Sequence, residues 1–271
     1  MCWLYKIMWV EAIALPKMVV EAQVVSNVEI GIQVKELVLY APTIAASAMP
    51  GQFLHVRVAS VTYHPLLRRP LSISNVDAEA GTVSTIYRIV GQGTVCLAKL
   101  NKNDIVDCMG PLGNGFTLQG QRPLLVGGGM GLAPLVFLAG ALCPRPTEVV
   151  MGGRTEEEMF WAPIFHDMCS NLHITTDDGT LGSRGVTLDL LPELLQTGKF
   201  DMIYTCGPHV MMDGVAKLAK DYNIPCQVSL EEYMACGVGG CLSCTCAAND
   251  GSRKKVCTDG PVFWAEEVVS C

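Results

Sequence analysis

The chain has 271 residues, a net charge of −7, and 17% charged against 50% hydrophobic residues. That balance fits two buried domains plus a small module and excludes a largely disordered chain. A sequence pI near 5.2 leaves no basic footprint, so neither nucleic acid nor an anionic membrane surface is an expected partner.

Residues 1–17, MCWLYKIMWVEAIALPK, are apolar, but Lys6 and Glu11 interrupt them and no small-residue cleavage site follows. They read as an N-terminal extension, with the core fold starting at Met18. From 18 to 119 short alternating segments separated by turns (VKELVLYAP, GQFLHVRVA, RRPLSISNVD, GTVSTIYRIVG, NDIVDCMGPLG) predict an antiparallel β-barrel. From 120 to 227 apolar runs alternate with helical stretches, which predicts an α/β doubly wound parallel sheet. The run Leu124–Cys143 is long enough to suggest a membrane span, yet Gly127, Gly128, Gly129, Gly131 and Pro134 make it a strand, a turn and a helix. Residues 228–271 form a Cys- and Gly-rich segment, too small to fold on hydrophobic burial alone, and are expected to be a metal-stapled C-terminal module.

Five of the thirteen cysteines, Cys236, Cys241, Cys244, Cys246 and Cys257, fall within 22 residues. Such clustering indicates metal ligation in a reducing compartment, and the expected location is cytoplasmic. The other eight are scattered in mostly apolar surroundings, as buried thiols would be. Cys236, Cys241 and Cys244 stand in C-x4-C-x2-C spacing, and Cys257 follows after twelve more residues. This is the loop portion of plant-type [2Fe-2S] spacing. Gly237, Gly239 and Gly240 let the backbone wrap a cluster and turn its N–H groups toward sulfur. A four-cysteine zinc site is the alternative, although such sites usually pair two C-x2-C knuckles and only one is present. Cys246 reads as a bystander.

In PLLVGGGMGLAPL the glycines Gly127, Gly128, Gly129 and Gly131 lie between an apolar strand and a helix, where a pyrophosphate could approach the backbone. Leu132 and Ala133 stand where a stricter dinucleotide fingerprint needs a third glycine, and a plain buried strand with a tight turn would look similar. The later turn Cys206-Gly207-Pro208, with Gly153, Arg154 and the 176–179 stretch, should line the same crevice at the carboxyl ends of the strands. Asp177 and Asp178 would repel a 2′-phosphate, which favours NAD over NADP. In the barrel, Arg69, Pro70, Leu71 and Ser72, then Tyr87 and Arg88, then Gly93 and Thr94 offer a phosphate-binding arginine, a serine for a flavin edge and a tight glycine turn. An arginine in a strand is, taken alone, more often a solvated edge residue.

The order RPLS, glycine loop, CGP turn resembles the ferredoxin–NADP reductase superfamily over residues 19 to about 225. The segments EEYMACGVGGCLSCTC and KKVCTDGPVF narrow the resemblance to the electron-transfer subunits of class 1B dihydroorotate dehydrogenases, across nearly the whole chain from Met18. The resemblance implies FAD contacts from Arg69, Pro70, Leu71, Ser72, Ile86, Tyr87, Arg88, Gly93 and Thr94, and cluster ligation by Cys236, Cys241, Cys244 and Cys257. It also implies NAD(H) as substrate and an FMN-containing catalytic partner subunit, in a heterotetramer of two copies of each, serving pyrimidine biosynthesis. No protein acid or base is expected to be catalytic, because flavins accept hydride and release single electrons themselves. A reductase subunit serving ferredoxin, a hydrogenase or a sulfur reductase shares these modules, and a redox-sensing or structural zinc protein is the non-enzymatic rival. Met234 and Leu242 either face a partner or simply cover the cluster.

Overall fold

The computed structural model describes residues 17–58 and 64–268, so the expected extension over 1–16 lies outside the described residues. The chain begins with β1 (Met18–Gly31) and β2 (Val34–Tyr40), then a short helix α1 (Pro42–Ala45), then β3 (Phe53–Val56), β4 (Arg69–Asp77) and β5 (Thr82–Arg88). Helix α2 (Gln92–Ala98) and β6 (Ile105–Leu112) follow. These six strands close into an antiparallel barrel in the order β1-β2-β5-β4-β3-β6, as the alternating pattern predicts. Alternation decides what fills it. Leu37 and Leu39 on β2, Leu54 and Val56 on β3, and Leu71 and Ile73 on β4 all point inward.

Next come β7 (Pro123–Gly128), α3 (Leu132–Leu142), β8 (Glu148–Gly153), α4 (Ala162–Phe165), β9 (Asn171–Thr176) and the two-residue β10 (Ser183–Arg184). Helix α5 (Thr187–Thr197), β11 (Met202–Cys206), α6 (His209–Asp221) and β12 (Cys226–Ser229) complete the α/β part. The Leu124–Cys143 run is thus a strand, a turn and a helix, and no helix of the described residues is long and apolar enough to cross a membrane. Helix α3 is buried nearly all round, from Leu132 to Gly140, which explains why its sequence lacks a polar face. The strands run parallel in the order β10-β9-β8-β7-β11-β12. The order reverses direction beside β7, and this is the switch point where open α/β sheets bind ligands.

The C-terminal segment contributes the two-stranded ladder β13 (Thr245–Ala247) and β14 (Arg253–Lys255), then β15 (Val262–Trp264). Strand β15 pairs antiparallel with β12 and becomes the seventh strand of the large sheet. Asn114, just past the barrel, donates its backbone N–H to Gly260 at 2.6 Å and its side-chain amide to Asp259 at 2.9 Å. One core is therefore shared by all three parts: Phe53 and Leu112 from the barrel, Val126 and Ile203 from the sheet, and Cys244, Cys257 and Phe263 from the C-terminal segment.

Candidate functional site

Three sites lie along this shared core. The first is the cysteine loop. Cys236 Sγ accepts the backbone N–H groups of Val238, Gly240 and Cys241 at 3.4, 3.3 and 3.4 Å, and Cys257 Sγ accepts that of Gly239 at 3.2 Å. Gly237 and Gly239 adopt φ of +69° and +81°, and Leu242, between two of the cysteines, is held at +61°. That conformation is costly for a branched side chain and marks a loop whose shape is imposed from outside.

The four thiols act on one another, Cys236 on both Cys241 and Cys257, and Cys244 on Cys257. Cys241 lies against Cys236, and its thiol is drawn down to about 6 by the Ser243 hydroxyl and the surrounding backbone donors. Cys257 lies against Cys244, and burial together with that neighbouring thiol pushes it up to about 12. Among the described residues no three His, Cys, Asp or Glu side chains converge as they would on a single ion. Four neighbouring thiols, with backbone N–H groups already turned to the sulfurs of Cys236 and Cys257, suit a two-iron cluster. Cys246 is buried in the shared core two residues beyond Cys244.

The second site is a cavity of about 140 Å³ between barrel and sheet, lined by Pro70 and Ser72 of the RPLS strand, Cys206 of the CGP turn, Ser229, Glu231 and Met234. Of the RPLS residues, Leu71 turns into the barrel core and Pro70 and Ser72 face the cavity. Arg69 crosses the glycine turn: a Cβ on Gly93 would lie 2.3 Å from its Nε, so the guanidinium lies directly on the turn backbone and any side chain there would push it aside. Thr94 Oγ1 accepts the backbone N–H groups of Val90 and Gly91 at 2.9 and 3.1 Å and fixes that turn. Arg69, Gly93 and Thr94 thus meet as a compact cradle suited to a pyrophosphate. Of Ile86, Tyr87 and Arg88, the middle residue points into the barrel, where its hydroxyl donates to Asn27 at 3.0 Å, so Tyr87 can offer a cofactor only its backbone. Arg88 lines the third cavity described below and not this one; its Nε is buried with no hydrogen-bond partner while its Nη1 reaches Glu158. Burial pushes the Cys206 thiol far up, which makes it a neutral wall and not a nucleophile. Glu231 faces the cavity but is crowded by protein, and its carboxyl lies above the usual range, with His209 opposing the rise.

The third site is a larger cavity of about 450 Å³ at the carboxyl ends of the parallel strands. Gly128, Gly129, Gly153, Arg154, Asp177 and Pro208 line it. Gly129 has φ of +56° and open space where a Cβ would stand, as a backbone that receives a phosphate needs. The other two loop glycines serve packing. A Cβ on Gly127 would meet Leu132 at 2.5 Å, and one on Gly131 would meet the Cys206 carbonyl group and Gly207 N at 2.5 Å. Asp177 lines this cavity, whereas Asp178 Oδ1 accepts from the Thr180 hydroxyl at 2.7 Å within its own turn. Sequence reasoning missed Glu158, which holds Arg154 by two contacts of 3.0 and 2.6 Å and reaches Arg88 at 3.6 Å. The i, i+4 spacing of Arg154 and Glu158 was the available signal.

Residues 231–269 match the family model described as the iron-sulfur cluster binding domain of dihydroorotate dehydrogenase B. The chain is 43% identical over 242 residues to the dihydroorotate dehydrogenase B (NAD(+)) electron transfer subunit of Bacillus caldolyticus, covering 86% of this chain and 92% of that one. It is 37% identical over 253 residues to the protein of that name from Caldanaerobacter subterraneus subsp. tengcongensis, covering 92% and 98%. Among solved structures, the NADH-dependent reduced ferredoxin-NADP oxidoreductase superposes with a TM-score of 0.83 at 31% identity, covering 93% of this chain and 90% of that one. Phthalate dioxygenase reductase, at 18% identity and a TM-score of 0.61 over 88% and 94% of the two chains, shares the fold.

Proposed function

The chain belongs to the family of dihydroorotate dehydrogenase B electron transfer subunits, and on that premise we propose how its three sites divide the work. The subunit moves electrons between a partner's FMN, a [2Fe-2S] cluster, FAD and NAD in the dihydroorotate-to-orotate step of pyrimidine biosynthesis. The observation that carries this reading is the cysteine loop itself, whose backbone N–H groups at Val238, Gly239, Gly240 and Cys241 point at the sulfurs of Cys236 and Cys257 and which shares one core with the flavin-side strand residue Phe53.

Cys236, Cys241, Cys244 and Cys257 would hold the cluster. Arg69, Gly93 and Thr94 would hold the FAD pyrophosphate, with Pro70 and Ser72 beside the ring and backbone contacts from Leu71, Ile86 and Tyr87. Arg88 would add a phosphate contact. Gly128 and Gly129, with Pro208, would receive the NAD pyrophosphate, while Gly127, Gly131, Cys206 and Gly207 keep loop and turn in contact. When bound, the flavin converts a two-electron hydride transfer into single-electron transfers, which the cluster carries. The chain's own residues position the groups and exclude water: buried Cys206 walls the flavin cavity, and Met234 lines it while packing on the shared core.

Three units, 18–119, 120–227 and 228–271, correspond to these roles. Exposed Tyr233, Val238 and Leu242 surround the cysteine loop and support docking of the catalytic subunit there, in a heterotetramer of two copies of each. The thiolate-rich site supports a reducing, cytoplasmic setting. Mixing this chain with the FMN-containing catalytic subunit should give NAD-dependent orotate formation that neither subunit gives alone. Orotate formed by the isolated, FMN-free chain would contradict the division of work.

A further inference from the structure

Strand β3 carries two residues on its outward face. Phe53 enters the core shared with Cys244 and Cys257, and His55, two residues on, shares that face, while Leu54 and Val56 point into the barrel. His55 has no exposed surface, and neither Nδ1 nor Nε2 has a hydrogen-bond partner. In either neutral tautomer one ring N–H is then left to donate, and leaving it unmatched costs on the order of 1–3 kcal/mol. A buried imidazole in that position calls for a reason.

The ring faces the cysteine loop. A Cβ on Gly237 would stand 2.6 Å from His55 Nδ1, so the loop backbone lies directly on the imidazole, and two backbone carbonyls stand near the ring short of hydrogen-bond geometry, that of Arg68 and that of Cys236 in the loop. On the other side His55 is the register partner of Pro70 on β4, and Pro70 lines the 140 Å³ cavity. His55 therefore stands between the strand of the flavin cavity and the loop of the first cluster cysteine.

We propose that His55 is a positioning residue that donates its ring N–H to the Cys236–Gly237 backbone and thereby fixes the cluster loop against the flavin-side strand. The proposal rests on the functional reading above. With both groups bound, His55 would take no part in the electron exchange itself. It would set how the cysteine loop stands against the flavin-side strand, and the polarity around the Cys236 thiolate.

The test compares the full-length chain with His55→Leu and His55→Asn, where asparagine keeps a donor near the Nδ1 position. Iron, sulfide and flavin are quantified, the reduced cluster is examined by electron paramagnetic resonance, and flavin and cluster reduction by NADH are followed separately after rapid mixing. His55→Leu should retain flavin and about two irons. It should keep the native rate of flavin reduction, slow cluster reduction about tenfold, and shift the resonance of the reduced cluster, all partly restored in His55→Asn. A leucine variant with native cluster reduction and resonance overturns the proposal, and so does equal damage in both variants, which would mean packing alone. Native protein without iron or flavin overturns the functional reading itself.

Discussion

Cys244 and Cys246 stand two residues apart, both are buried, and both belong to the shared core, so spacing alone could not separate ligand from bystander. Packing supports Cys244 as the ligand, because it meets Cys257. Cys246→Ala should retain about two irons and cost on the order of 1–2 kcal/mol, whereas Cys241→Ala should lose the cluster, as metal analysis and thermal melting will read. Loss of iron in Cys246→Ala would reassign the ligand set. The paired aspartates teach a similar lesson. Both were legible as acidic residues at a strand end, but the Thr180 hydroxyl engages Asp178, which leaves Asp177 on the nucleotide cavity. Asp177→Asn should raise kcat/KM for NADPH relative to NADH about tenfold, the effect of removing one like charge near a 2′-phosphate. An unchanged ratio would move the discrimination elsewhere, and Glu158, whose hold on Arg154 keeps that cation from a phosphate, is the next candidate.

At the scale of elements, the glycine loop was visible as a motif but its division of labour was not. Nothing in GGGMG says that Gly129 faces open space while Gly131 presses on the backbone of Cys206 and Gly207. That difference arises only when β7 and β11 lie side by side in the sheet. Gly131→Ala should destabilise the chain by on the order of 1–3 kcal/mol, because the atoms in the way are backbone and cannot rotate aside. Gly129→Ala is not opposed by packing but must accept φ of +56°, so its cost falls on the local backbone and on NADH binding. A melting comparison and an NADH titration distinguish them. The pairing of β15 with β12 was equally hidden, since PVFW reads as a short apolar run with no indication of its partner. Asn114 is the clamp on that return. Asn114→Ala removes the amide's hydrogen bonds to Thr258 and Asp259, should lower the melting temperature by a few degrees, and should make the cluster easier to extract with chelator.

For the whole molecule, the barrel, the parallel sheet and the cysteine module were each legible because each has its own periodicity: two in the strands, strand-helix alternation in the sheet, and cysteine spacing in the module. Their mutual arrangement was not, because it depends on long-range contacts such as Phe53 against the cysteine-loop core and Asn114 against Gly260. That arrangement is what makes an electron path out of three separate binding sites. It also predicts coupled stability: stripping iron should loosen the module and, through β15, the edge of the large sheet. The most direct test of the path is the visible spectrum of the anaerobically purified chain before and after NADH, with iron, sulfide, zinc and flavin quantified. Flavin and cluster absorbance that bleach together, with about two irons and one FAD per chain, is the predicted result. A colourless protein, or one holding zinc in place of iron, would contradict it.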